Sequence, residues 1–516
     1  MALSLSQQAQ GSFQLVELCQ ELLAERRLII ISNRGPIEYD VAEGGVLQSR
    51  RGGSGVVAAL SALSRDVEVT WISSTMREGD RRAASSADNG CFKAPLPGQK
   101  LYLRFINSPR AVYHKYYNIF CNPLLWFLHH CMWNSPYTPN FDARVYDAWE
   151  NGYIPLNRAF AEAAIDEAAR DRMPPFVMLH DYHLYLAGSY IRRQMPYAIL
   201  QHFIHVPWPA PDHWQMFPSP MCRAILESLC SMDIVGLQTS RDVQNFLHCC
   251  EVFLDNAEVN YQDSIVSVAG HETRVKSYPV SIDIATLQRT SQSPRVQGYE
   301  QIVRPFLGEQ TIVRVDHAEP SKNIIRGLKA FDMLLERHAH FKEKVRLICF
   351  IVPSRSGVKL FQRYTQDVFE LVDAINAKHG SEAWKPVKVF HENNYAQVVA
   401  GMQLYDVLLV NPIADGMGLA AKQGSIVNTR DGVLILSEAA GAHEQLKDNV
   451  LSVAPADIEG TTQALYTALT MDSTERKKRA EALRRAIEQE DITRWLYHQF
   501  QDLKSLACQL PLLLPV

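Results

Sequence analysis

No apolar run in this 516-residue chain approaches the roughly 20 residues needed to cross a bilayer, so a membrane-spanning helix is not expected. Neither sign of charge dominates: 52 Lys plus Arg against 56 Asp plus Glu leave a formal charge of −4. That balance offers no global attraction for nucleic acid or an anionic membrane, so any phosphate must be held by local constellations. Cysteine is sparse and scattered, ten residues with no CxxC or zinc-like His/Cys spacing. Reduced thiols and a cytoplasmic setting are the corresponding expectation. The first residues, MALSLSQQAQGSFQLVELCQELLAERR, are amphipathic but lack the continuous apolar core of a signal peptide. Internal repeats and low-complexity tracts are missing as well. What remains, 47% hydrophobic and 21% charged residues, is a globular composition too long for one ordinary domain.

Short β-branched runs alternate with helical patterns almost throughout. Leu28–Ser32, Val67–Ser73, Phe176–Leu179, Ala198–His205 and Ile234–Leu237 read as strands in the first half. Thr311–Val315, Arg346–Val352, Val387–His391, Val407–Asn411 and Val433–Ser437 do so in the second. The alternation predicts an α/β fold with two doubly wound, Rossmann-like domains of parallel strands covered by helices. The polar stretch Ile284–Gln301 is the expected boundary. The division is a helical extension over 1–26, a first Rossmann-like domain over 27–290, a second over 291–485, and a C-terminal helix over 486–516 that packs back on the first. The aromatic segment Arg110–Tyr137 breaks the alternation and reads as an inserted helix.

Ligands in doubly wound sheets sit at the carboxyl ends of the strands, and several chemistry-bearing residues fall there. Arg34 follows the strand Leu28–Ser32. Arg50 to Val56 is glycine-rich and leads into a helical stretch, which places Gly53 and Ser54 at a helix N-terminus. Arg314 ends or nearly ends its strand, and Lys322 opens the next helix with Ser321 as its cap, a spacing that suits a diphosphate. Arg355 is a third strand-end cation. Asp415 to Gln423, DGMGLAAKQ, turns from a buried strand through glycines into a helix over Leu419–Val427, whose N–H groups favour an anion. Asp415 there would meet a hydroxyl-bearing group attached to phosphate. Each feature alone also fits plain packing or a solvated loop. His180, Asp181, His183 and His205 allow a metal reading, but their spacing lacks the HExxH or facial-triad pattern, and sugar hydroxyls suit them better. Tyr116, Tyr117 and Trp126 fit either a core or a sugar pocket.

In this order, SNR (32–34), GGSG (52–55), YYNIFCNPLLW (116–126), HDYHL (180–184), HVPWP (205–209), DIVGLQT (233–239), RVD with SK (314–322), PSRSG (353–357) and DGMGLAAK (415–422) resemble glycosyltransferase family 20, the trehalose-phosphate synthases and their relatives. The resemblance implies a B-type glycosyltransferase fold, two facing Rossmann-like domains with the active site in the interdomain cleft. It implies transfer of glucose, with retention, from a nucleotide-glucose donor to a sugar-phosphate acceptor, without a metal or other cofactor. By the same resemblance the catalytic residues are Asp181, His205, Arg314 and Lys322. Gly53, Arg314, Lys322, Asp415, Gly416, Met417, Gly418, Leu419 and Gln423 bind the donor. Arg34, Tyr117, Trp126, Asp181 and Arg355 bind the acceptor. Nucleic acid and membrane are not expected partners, and homo-oligomerisation stays open.

Three departures from the family pattern bear on specificity. Gly418 stands where the family usually has asparagine, and Gln423 where it usually has a glutamate accepting from both ribose hydroxyls. An amide has one acceptor oxygen and no charge, so the ribose contact changes. The loop between Asp316 and Ser321 is longer, through Ala318–Pro320. UDP-glucose and GDP-glucose both stay open as donors, with ADP-glucose behind. The leading expectation is an α,α-trehalose-phosphate synthase acting on glucose 6-phosphate. The alternatives are a glucosylglycerol-phosphate synthase or cyclitol-coupling enzyme and, in another class, a weakly active sugar-phosphate sensor.

Overall fold

The computed structural model describes residues 13–509 except 25, 52–62, 66, 86–89, 135–136, 170–172 and 356. Two compact units form, Met1–Val280 with Ile492–Val516, and Ser281–Asp491. The division thus falls at Val280/Ser281 rather than at 290/291, and the return to the first unit begins at Ile492 rather than 486. The reason is local. Val280 ends the connection that follows the last strand of the first sheet, whereas the helices Ile284–Ser291 and Pro294–Val303 belong to the second unit. No described helix is long and apolar enough to cross a membrane.

Among the described residues the first unit holds ten strands in one sheet and two in a hairpin. The sheet strands are β1 (Leu28–Ile31), β4 (Val69–Ser74), β5 (Cys91–Lys93), β6 (Leu101–Ile106), β7 (Phe176–His180), β8 (Ile199–Phe203), β9 (Ile234–Leu237), β10 (Ala257–Asn260), β11 (Ile265–Val268) and β12 (His271–Ser277). They are ordered β10-β11-β12-β9-β8-β7-β1-β4-β6-β5, and β2 (Ile37–Val41) pairs with β3 (Leu47–Arg51) apart from them. From β12 through β6 every pairing is parallel, and β10, β11 and β5 add antiparallel edges. The central strands read LIII, FVMLH and ILQHF and are buried along their whole length, as strands covered on both faces must be. After β1 the chain winds outward to β4 and β6, then returns to start the other half at β7. The switch point therefore lies between β1 and β7, where a doubly wound sheet opens a crevice beyond its strand ends.

The C-terminal helix Ile492–Ala507 closes the first unit. Trp495 donates to the Tyr278 carbonyl at 3.1 Å and meets the Phe203 ring edge-on, while Gln201 donates to Gln499 at 2.7 Å. The aromatic insertion is helical from Arg110 to His129, but wound wider over His114–Leu125. Asn122 leaves the helical region there (φ −126°, ψ 114°) because it precedes Pro123, which disfavours the α conformation in the residue before it.

The second unit is a six-stranded, all-parallel sheet ordered β15-β14-β13-β16-β17-β18. The strands are β13 (Gln310–His317), β14 (Val345–Val352), β15 (Val387–His391), β16 (Val407–Val410), β17 (Val433–Ser437) and β18 (Leu451–Val453). Its core gathers Ile312, Leu347, Leu409 and Ile435 from the sheet with Leu328, Phe331 and Leu465 from flanking helices. Here the switch point lies between β13 and β16.

Candidate active site

Both switch points carry the residues singled out by sequence. In the second unit, β13 runs on to His317 because β14 pairs with it along all of Gln310–His317. Arg314 therefore lies inside the strand rather than at its tip, and it is fully buried. Its Nε donates to Asp316 Oδ2 at 2.8 Å, and its Nη groups donate to the carbonyls of Ile324 (3.3 Å) and Lys322 (3.1 Å). Burial works against the guanidinium charge and Asp316 more than restores it, so its pKa stands raised. The room for this fork comes from Gly327 on the helix Ile324–Arg337, where a Cβ would stand 2.2 Å from Arg314 Nη1.

Lys322 does not open that helix, and Ser321 does not cap it. Pro320–Lys322 forms a short 3₁₀ turn, and Asn323 in the left-handed region (φ 57°) starts the helix. Asparagine is among the few residues that take this conformation at low cost. The Asn323 amide is held by the carbonyls of Asn411 (2.9 Å) and Pro455 (2.6 Å). The Lys322 ammonium is thereby delivered to Asp415 Oδ2, with which it pairs. Burial lowers the Lys322 pKa, Asp415 and Glu319 outweigh it, and the net shift is upward.

Asp415 follows β16, and its Oδ1 accepts from the backbone N–H of Gly418 (3.1 Å) and Met417 (3.3 Å). Gly418 has φ +80° and precedes the helix Leu419–Val427, whose bounds match those expected. The departure to glycine keeps this backbone, since glycine and asparagine both tolerate the left-handed region, and removes only the amide. The turn is zipped to the next loop: Asp415 N–H donates to Ala439 O, Gly441 N–H to Asp415 O and Ala442 N–H to Met417 O, at 3.2, 3.0 and 2.8 Å. Only a glycine fits at 441, because a Cβ there would stand 1.8 Å from the Gly416 oxygen. Gln423 is part-exposed on the first turns of that helix.

Arg355 follows β14 with φ +44° and pairs with Glu319. Arg314 within β13, Lys322 in the loop after it and Arg355 after β14 each have a carboxylate partner: Asp316, Asp415 and Glu319.

In the first unit, Arg34 is exposed directly after β1, and Ser32 Oγ donates to its carbonyl at 2.6 Å. The neighbouring Asn33 amide shares a 3.3 Å hydrogen bond with the Tyr113 hydroxyl. Tyr113 stacks on Tyr117 (5.5 Å), and Tyr117 on His183 (5.8 Å, 9°). Arg34, Tyr117 and the HDYHL turn are therefore brought together across the β1/β7 switch point. Asp181 has φ 73° and ψ 170°, a region nearly reserved for glycine, and such strain concentrates at functional positions. Its carbonyl accepts from His202 Nε2 at 3.0 Å, and its carboxylate lies 3.9 Å from His183 Nδ1. His205 Nε2 and His180 Nδ1 share a 3.2 Å hydrogen bond. Burial holds both imidazoles well below their usual pKa, His205 at about 3, so the pair is neutral. Trp126 is only 2% exposed, its ring against Phe127 and His130, which makes it part of the core.

Gly53 and Ser54 lie outside the described residues. Among the described residues no group of three or more His, Cys, Asp or Glu is arranged to hold a metal. Sequence reasoning missed Glu319 and the Asn33–Tyr113–Tyr117 relay. Glu319 was visible only as extra loop length, and the relay needed tertiary contacts between residues 80 positions apart.

Three comparisons fit this geometry. A Streptomyces hygroscopicus subsp. jinggangensis validamine 7-phosphate valienyltransferase is 28% identical over 88% of this chain and 89% of its own. The Mycolicibacterium smegmatis trehalose-6-phosphate synthase is 28% identical over 90% of each chain. A solved α,α-trehalose-phosphate synthase (UDP-forming) from Burkholderia xenovorans, in complex with glucose-6-phosphate, superposes with a TM-score of 0.77 at 23% identity, covering 93% of this chain and 100% of that one. That likeness establishes the B-type, two-domain fold. The profile of Glycosyltransferase family 20 matches residues 26–505, and with its motifs at the two switch points the chain belongs to that family and is a glycosyltransferase.

Proposed function

We propose that the chain makes α,α-trehalose 6-phosphate by moving glucose, with retention, from UDP- or GDP-glucose to glucose 6-phosphate. The observation that carries this reading is the Lys322–Asp415 pair at a glycine turn and helix N-terminus beside the β13/β16 switch point. It sets a cation and the positive end of a helix for a diphosphate next to a carboxylate for sugar hydroxyls. Support for the acceptor comes from the Burkholderia xenovorans complex with glucose-6-phosphate and from Arg34, Tyr117 and Asp181 at the other switch point.

In this reading the C1–O bond to the leaving diphosphate breaks as the acceptor oxygen bonds to C1 on the same face. The acceptor's proton passes to the departing phosphate oxygen, so no protein nucleophile is needed. Lys322 neutralises the growing charge. Arg314 adds its field and braces the carbonyl of Lys322. Asp415 and the backbone of Gly416–Leu419 hold the donor glucose, with Gln423 toward the nucleotide. His205, neutral and oriented by His180, contacts the donor sugar. Asp181 orients acceptor hydroxyls, and Arg34, Tyr117 and Arg355 serve the acceptor's phosphate end. The reaction is metal-independent: the charge that a metal would neutralise is assigned to Lys322 and Arg314.

A coupling of cyclitols is the second reading, favoured by the Streptomyces valienyltransferase. A grid of UDP-, GDP- and ADP-glucose against glucose 6-phosphate, glycerol 3-phosphate and an aminocyclitol phosphate separates them. A phosphorylated disaccharide from glucose 6-phosphate is the expected product. Its failure to form with every donor rejects the assignment.

A further inference from the structure

Glu319 belongs to the stretch that lengthens the loop after β13, and it is 8% exposed. Its Oε1 accepts from Ser354 Oγ at 2.6 Å and from Arg355 Nη1. Arg355 is itself held: its side chain is 16% exposed, its backbone is left-handed, and its guanidinium lies 5.2 Å from the Phe361 ring centroid. Of the three ion pairs in this unit's site, Arg314–Asp316 braces a strand and Lys322–Asp415 sits at the glycine turn. The third ties the loops after β13 and β14 to each other by a charge-assisted hydrogen bond. Burial pushes the Glu319 carboxyl up, but Arg355, Lys322, His317 and the Ser354 hydroxyl hold it at about 2, so it stays ionised in any physiological medium.

We propose that Glu319 is an acceptor-specificity determinant: its carboxylate occupies the Arg355 guanidinium, so a phosphorylated acceptor must displace a built-in anion to use that cation. This rests on assigning Arg355 to the acceptor's phosphate. Exchanging one charge-assisted hydrogen bond for another gains little, and the displaced carboxylate stays nearby to repel the incoming dianion. Arg355 thus admits phosphate weakly, and acceptors whose group at this point is uncharged lose nothing to Glu319.

The test is calorimetric titration of glucose 6-phosphate into the full chain, wild type and Glu319→Gln, with UDP and GDP as controls. Glutamine keeps the size and the Ser354 acceptor and removes the anion that faces Arg355. Glu319→Gln is expected to bind glucose 6-phosphate about tenfold more tightly, with nucleotide binding unchanged, and the gain should vanish in Glu319→Gln/Arg355→Ala. Should Glu319→Gln destabilise the chain, Glu319→Ala removes the same anion without leaving a buried amide to satisfy and should tighten binding by a similar factor. Equal or weaker binding of glucose 6-phosphate by the folded variants overturns the proposal while leaving the acceptor reading intact. Loss of glucose 6-phosphate binding in every form, with nucleotide still bound, overturns both.

Discussion

The two switch points solve the same problem with opposite materials. Beyond β1 and β7 the site is built from rings, Tyr113, Tyr117 and His183 in a stack and His180 with His205 in a neutral pair, and its exposed cation, Arg34, stands at the margin. Beyond β13, β14 and β16 it is built from charge, three cations each facing a carboxylate. Rings fix position through packing and keep their shape whatever binds. Ion pairs fix position through partners that a charged ligand can replace, so their geometry and their affinity are coupled. A site for hydroxyls suits the first arrangement, and a site for a leaving diphosphate suits the second.

The sharpest break of this contrast is Lys322→Ala. Turnover in the glucosyl-transfer assay should fall by about a hundredfold or more, the loss that the proposed contact of Lys322 with the leaving diphosphate predicts. A rate like wild type would remove the charge-based half of the comparison. Next is Gly441→Ala, whose methyl would collide with the Gly416 oxygen and unzip the Asp415 turn. Thermal unfolding should show a loss of about 1–3 kcal/mol together with weakened nucleotide binding, the cost of overfilling a close contact.

Acid should separate the two units by their materials. His202 and His205 sit at about 4 and 3 because burial disfavours their charged forms, against an ordinary 6.5. The unfolded chain takes up those protons first, so the first unit should lose stability as pH falls from 6.5 toward 3. Glu319, at about 2 against 4.5, gives stability that is complete above pH 4.5 and is lost only as pH falls from there toward 2. Limited proteolysis across this range, with cleavages mapped to each unit, should show the first opening at the higher pH; simultaneous opening contradicts the contrast. The smallest effect is expected for Gln423→Glu, which puts a carboxylate at the proposed ribose contact and should tighten UDP or GDP by about threefold in calorimetry.

Sequence alone settled what depends on local pattern. Alternating β-branched runs and helical stretches are the physical cause of parallel, doubly wound sheets, and the strands around both switch points were legible for that reason. The helix Leu419–Val427 was legible too, since a strand, a glycine turn and an apolar period are all local signals. Residue types at strand ends named the chemistry before any contact was known.

Tertiary structure decided everything that depends on which strand lies beside which. It placed Arg314 within β13, because pairing with β14 extends the strand beyond its apolar run. Asn323 rather than Ser321 starts the next helix, since carbonyls at Asn411 and Pro455, distant in sequence, hold its amide. Trp126 joined the core, and Glu319 became the partner of Arg355, a pairing no spacing announces. Secondary structure follows from neighbours within a few residues, whereas ion pairs and burial follow from neighbours that only the folded sheets bring together.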